Sequence, residues 1–138
     1  MIRRKELPPD LRPAFRAFSE VVDSIEPAKA AVADVLPGTR LPGRPLNDAV
    51  AEYRAGIDRA RTGMGAWRRP EVEAEWQACA AGLETAADRA SALTGHEDDP
   101  VGFEGLLWTV QELIEPLDPF VAAAERFRDL RVRPQRPR

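Results

Sequence analysis

Between Leu11 and Phe127 the apolar residues return at steps of three and four, and this spacing limits the fold more than any other feature of the chain. It is the signature of helices that bury one face. A first run joins Leu11, Phe15, Phe18, Val22, Ile25, Val32 and Leu36, and a second joins Leu46, Val50, Tyr53, Ile57, Ala60, Met64 and Trp67. The third is Val72, Trp76, Cys79, Leu83, Ala86, Ala90 and Leu93. The fourth is Phe103, Leu106, Val110, Leu113, Leu117, Phe120, Ala124 and Phe127. No stretch alternates with a period of two, so the chain is predicted to be all-α. Asp10 with Pro13, Asn47 or Asp48, Pro70, and Asp99 with Pro100 are the expected start signals, and Gly95 ends the third helix.

Short links set the topology. Arg68 and Arg69 separate the second run from the third, and Gly95–Asp99 separate the third from the fourth. Connections of that length make consecutive helices antiparallel neighbours. The first link is longer and rich in proline, so it has the reach to cross a bundle end. The expectation is a single domain over 1–138, an up-down-up-down antiparallel four-helix bundle, with 1–9 and 131–138 as basic tails containing proline.

Two Ile-Glu-Pro triplets interrupt this pattern, at Pro27 in the first helix and at Pro116 in the fourth, where Pro119 follows. Proline removes one donor and clashes with the carbonyl four residues back. The apolar phase nevertheless runs on across both sites, so both helices are expected to kink rather than end, at similar heights where they could nest, although Asp118 and Pro119 could equally begin a fresh helix. Pro27 releases the carbonyl of Asp23, Pro116 that of Glu112 and Pro119 that of Glu115. Beside them Glu26, Lys29 and Glu115 are candidates for a polar mid-bundle site that would take a cation or a small molecule. The competing expectation pairs Glu26 with Lys29 as an i,i+3 surface contact.

Composition excludes more chemistry than it suggests. The sole histidine, His96, and the lack of any Glu-x-x-His rule out a ferritin-like di-metal centre. His96 to Asp99 is an acidic loop that reads as a helix cap, so neither a metal nor a cofactor is expected. Cys79 lies mid-face in the third run, where a thiol acts as a small hydrophobe, and TGMGAW at 62–67 lacks the spacing of a phosphate loop. The chain is therefore not expected to be an enzyme. With one cysteine, no secretory leader and no apolar run long enough for a membrane span, the expected compartment is the cytoplasm.

Charge is the remaining lead. Residues 1–6 carry +2 and residues 126–138 carry +5 in a chain of −3, which leaves −10 on the body. Antiparallel topology would gather Arg3, Arg4, Lys5, Arg68, Arg69, Arg126, Arg128, Arg131 and Arg133 at one end, a candidate site for an anionic partner. Trp108 is expected on the outer side of the fourth helix, opposite Val110, in a lane with Val101, Glu104, Glu112 and Glu115. Tryptophan is enriched at interface hot spots, so Trp108 and Val101 are candidate interface residues. The leading expectation is a protein–protein interaction, with a homodimer through the fourth helix as one form. Binding of nucleic acid at the basic end and of a small molecule inside the bundle are the alternatives, the former opposed by the acidic pI of about 5.3.

Overall fold

A computed structural model describes residues 4–36, 45–93 and 102–133. The helices are α1 Arg12–Ala33, α2 Leu46–Gly63, α3 Glu73–Leu93, α4 Phe103–Ile114 and α5 Pro119–Asp129. The last two form one bent helix, so the architecture is a four-helix bundle whose neighbours pack antiparallel. Short 3-10 turns at Pro9–Leu11, Met64–Trp67, Pro70–Val72 and Glu115–Leu117 lead into, out of or between them. No helix among the described residues is long and apolar enough to cross a membrane.

The core follows the predicted faces closely. Phe18, Ile25, Val32, Val50, Tyr53, Ile57, Trp67, Val72, Cys79, Leu83, Leu113, Leu117 and Phe127 are all buried. Phe15, Val22, Leu36, Leu46, Leu93 and Leu106 are half-buried against this core, and three further positions depart. Phe103 is 56% exposed, because the first turns of α4 are covered less than the last. Trp76 is half-buried, its indole N–H donating to the Met64 carbonyl at 2.8 Å. Ala124 is exposed and Ala123 buried in its place. The 3-10 turn explains this last exchange, since each of its residues rotates by about 120° rather than about 100° and the phase beyond it is advanced.

The helix starts are less faithful to expectation. Asp10 caps nothing; it sits inside the 3-10 turn before α1, and its carboxylate faces Arg69 at 3.7 Å. Neither Asn47 nor Asp48 caps α2, which begins after Pro45. Proline supplies the entry at Pro9 and Pro70, fixing φ where a donor is not needed. Gly95, Asp99 and Pro100 lie outside the described residues. The segments expected as tails are tied together: Glu6 and Val132 exchange backbone hydrogen bonds of 2.8 and 2.7 Å, and Leu7 is buried beside them.

The two prolines behave differently, and their surroundings say why. Pro27 is exposed and α1 continues through it without a break. On that face the carbonyl released at Asp23 can turn to water. Pro116 is buried, so its released carbonyls need partners from the protein. The chain tightens into the 3-10 turn, and two side chains from other helices complete the bonding. Arg89 of α3 donates from Nη1 to the Glu112 carbonyl at 2.8 Å, and Tyr53 of α2 donates its hydroxyl to the Leu113 carbonyl at 2.6 Å.

Glycine makes room beside both prolines. Gly56 of α2 lies against Ala28 and the Ser24 carbonyl, so a Cβ there would stand 2.8 Å from each. At Gly82 of α3 a Cβ would overlap the carbonyl oxygen of Pro116 itself. The two proline segments therefore do not nest on each other; each packs against a glycine of the helix beside it.

Tyr53 is fully buried, and burial raises its phenol well above the ordinary tyrosine range, the nearby Arg89 offsetting this only in part. Tyr53→Phe keeps the ring and strands the Leu113 carbonyl, a loss expected to cost about 1–3 kcal/mol. Urea unfolding checks it: the midpoint should fall with an unchanged slope. An unmoved midpoint would mean that the kink finds its donor elsewhere.

Candidate interaction surface

Where α3 and α4 diverge, a cavity of about 190 Å³ opens between them, lined by Arg89, Ala92, Leu93, Trp108, Thr109, Glu112 and Leu113. The proline kink reaches this lining through Arg89. The same Arg89 that caps the Glu112 carbonyl holds the Glu112 carboxylate at 3.4 Å, and both side chains are about one-third exposed, 35% and 34%. Thr109 returns its hydroxyl to the Gly105 carbonyl at 3.0 Å, so it presents mainly its methyl group. Trp108 stands on the rim, 65% exposed, and its indole N–H has no partner among the described residues. Trp67 and Trp76 differ in this respect: both are packed, and both donate to Met64, at 3.3 Å to its sulfur and 2.8 Å to its carbonyl.

The lane predicted for Trp108 is described from Glu104 onward. Glu104 and Glu115 are exposed, and Glu112 is half-buried against Arg89. Val101, the other interface candidate, lies outside the described residues. Residues 37–44 of the first link also lie outside them.

At the opposite end the structure brings the basic candidates together, as the Glu6–Val132 bridge and the ion pair between Asp10 and Arg69 demonstrate. Many of those arginines already have acidic partners. Arg68 meets Glu73 at 2.7 Å while its guanidinium stacks 4.0 Å over the Trp76 ring. The Glu73 hydrogen bond raises the pKa of Arg68 further, and in return holds the Glu73 carboxyl below its usual range, with help from Gln77. Arg126 lies 3.6 Å from Glu75 and bonds the Glu71 carbonyl at 3.1 Å, and Arg128 lies 3.8 Å from Asp129. Arg131 lies 5.8 Å over the Phe15 ring. Arg4, Lys5 and Arg133 are exposed. Arg3 falls outside the described residues. A cavity of about 470 Å³ also opens here, among Glu6, Leu7, Pro8, Pro9, Arg12, Val132 and Arg133.

Glu26, Lys29 and Glu115 do not meet inside the bundle. Glu26 and Lys29 pair across the surface of α1 at 3.4 Å, and Glu115 is exposed on the 3-10 turn. The physical reason is that Pro27 faces solvent, which carries its flanking charges outward with it. Cys79 is fully buried, and its thiol is pushed up to about 12, by burial first and by Glu75 second. Such a thiol stays protonated and inert at neutral pH. Among the described residues no three of His, Cys, Asp and Glu come together as a metal site; His96 lies outside them.

Sequence reasoning overlooked Tyr53, Arg89, Gly56 and Gly82 as a set. Signals existed for each. A glycine in a helix interior costs about 1 kcal/mol relative to alanine, which calls for a packing reason. A proline likewise demands a donor for the carbonyl four residues before it.

Fold and surface together define a four-helix bundle with an aromatic-rimmed groove between its third helix and its bent fourth. No family model matches the chain, and neither a curated protein nor a solved structure does.

Proposed function

We propose that this protein is a non-enzymatic cytoplasmic bundle that acts by docking another polypeptide in the groove between α3 and α4, with Trp108 as the anchor. The observation that carries the reading is Trp108, 65% exposed on the rim of an open cavity. Isolated exposed apolar residues need no explanation, but a tryptophan beside a concavity offers a large rigid surface at little entropic cost. The basic end supports polyanion binding less well, because Arg68, Arg69, Arg126 and Arg128 each already lie near a carboxylate.

Trp108→Glu tests the proposal. The side chain is exposed, so stability should change by no more than about 0.5 kcal/mol. Proteins co-purifying with the wild-type chain from its native cells should be lost with the variant. Equal retention by both would remove the groove from the interaction.

A further inference from the structure

Resting on that docking reading, we infer that the occupant of the α3–α4 groove is a cationic amphipathic helix. The groove is lined by less than two turns of each helix, between Arg89 and Leu93 on α3 and between Trp108 and Leu113 on α4, so it seats the middle of its occupant. A cleft between antiparallel helices takes a third helix whose apolar residues recur at i, i+3, i+4 and i+7. Ala92, Leu93, Leu113 and the Thr109 methyl provide the apolar floor, and the Trp108 ring the wall.

The charge around this floor selects the partner. Glu104 and Glu115 are exposed one turn before and two turns after Trp108 on its lane, and Asp88 is exposed on α3 one turn before Ala92 of the lining. Among the described lining residues the cation is Arg89, and its guanidinium is already committed to Glu112. A helix laid here with Lys or Arg beside its apolar stripe finds acidic groups on both rims, an arrangement that favours encounter and fixes register. An anionic helix meets repulsion instead. So does a second copy of this chain: a two-fold axis through Trp108 would set Glu104 of each copy against Glu112 of the other. An acidic rim likewise repels an anionic membrane surface.

The experiment uses the full chain and three synthetic peptides. One is a helical leucine–lysine peptide with leucine at i, i+3, i+4 and i+7; the second has glutamate for lysine; the third has the first one's composition in scrambled order. The readout is the set of indole N–H resonances in NMR titrations, where Trp67 and Trp76 are bonded to Met64 and Trp108 has no partner among the described residues. The leucine–lysine helix should shift Trp108 selectively, and more weakly as salt rises. Glu104→Lys with Glu115→Lys should weaken it about tenfold. Glu20→Lys with Asp23→Lys, exposed positions on α1 with the same change in net charge, should leave it within about twofold.

Equal binding of the lysine and glutamate helices at Trp108 would overturn the cationic partner and leave docking intact. Equal binding of the scrambled peptide would overturn the helical one. If no peptide moves Trp108, the inference fails, whereas the docking reading stands or falls on the co-purification of Trp108→Glu. A homodimer in native mass spectrometry that Trp108→Glu dissolves would put a second copy in the groove and overturn the proposal.

Discussion

Gly82→Ala is expected to destabilise this protein by about 3 kcal/mol, the upper range for forcing a methyl group into a packed interior. The sign is the informative part. In a helix interior the same exchange ordinarily stabilises by about 0.5–1 kcal/mol, because glycine has more backbone freedom to lose on folding. Here the new Cβ overlaps the Pro116 carbonyl oxygen, with the Pro116 carbonyl carbon 3.3 Å and the Pro119 ring 3.7 Å away. Both neighbours are backbone or ring atoms, so neither can swing aside as a flexible side chain would. Relief requires α3 and the kink to separate, which would also loosen the Arg89 and Tyr53 bonds to the two carbonyls there. Gly56→Ala should destabilise as well, meeting Ala28 and the Ser24 carbonyl. Gly65→Ala is the control, since nothing lies within 4 Å of its Cβ position. Urea midpoints for the three variants separate the cases. A Gly82→Ala protein as stable as the Gly65→Ala protein would mean that the kink does not rest on Gly82.

The contrast between these glycines shows where sequence reasoning reaches and where it stops. Periodicity carries the fold, because helix phase is a local property and short links leave little choice of neighbour. It locates Val50, Ile57, Leu83 and Phe127 in the core and Trp108 outside it. Which way a proline faces is not local. Pro27 and Pro116 stand in the same Ile-Glu-Pro triplet, yet one faces water and the other the interior. The outcome depends on how the whole helix is rotated in the bundle, and a run with apolar residues on more than one side, as in α4, allows more than one rotation. The groove was legible only through Trp108. Its floor depends on Arg89 reaching across from α3, a contact between residues 23 apart in sequence that no local pattern encodes. The basic end was legible as a cluster, but the carboxylates that meet its arginines come from other helices and turns and became visible only with the fold.

Phe127→Ala should cost about 3–5 kcal/mol, the usual loss for a large aromatic removed from a core. The residue is fully buried, and its ring stands 5.4 Å from Phe15, 5.1 Å from Phe18 and 6.1 Å from Trp67. Phe18 and Trp67 also meet edge to face at 4.9 Å. These rings join α5 to α1 and to the turn after α2, so Phe127 holds the segment beyond the kink onto the rest of the bundle. The effect should therefore be uneven. Glu6 and Val132 bond each other just past the end of α5, and their amides should exchange with solvent faster in the variant by a larger factor than the amides at the centre of α1 and α2. Phe127→Leu, which retains most of the apolar volume, should cost less than about 1.5 kcal/mol and leave the bridge protected. Hydrogen exchange by NMR distinguishes the two arrangements. If exchange rises uniformly along the chain, α5 folds and unfolds as one unit with the other helices. If it rises at the bridge first, the kink is a boundary, and the end where the termini meet opens before the bundle does. The 3-10 turn interrupts the α-helical ladder between α4 and α5, and Arg89 and Tyr53 bond its released carbonyls from other helices; that interruption makes the second the expected result, and uniform exchange would refute it.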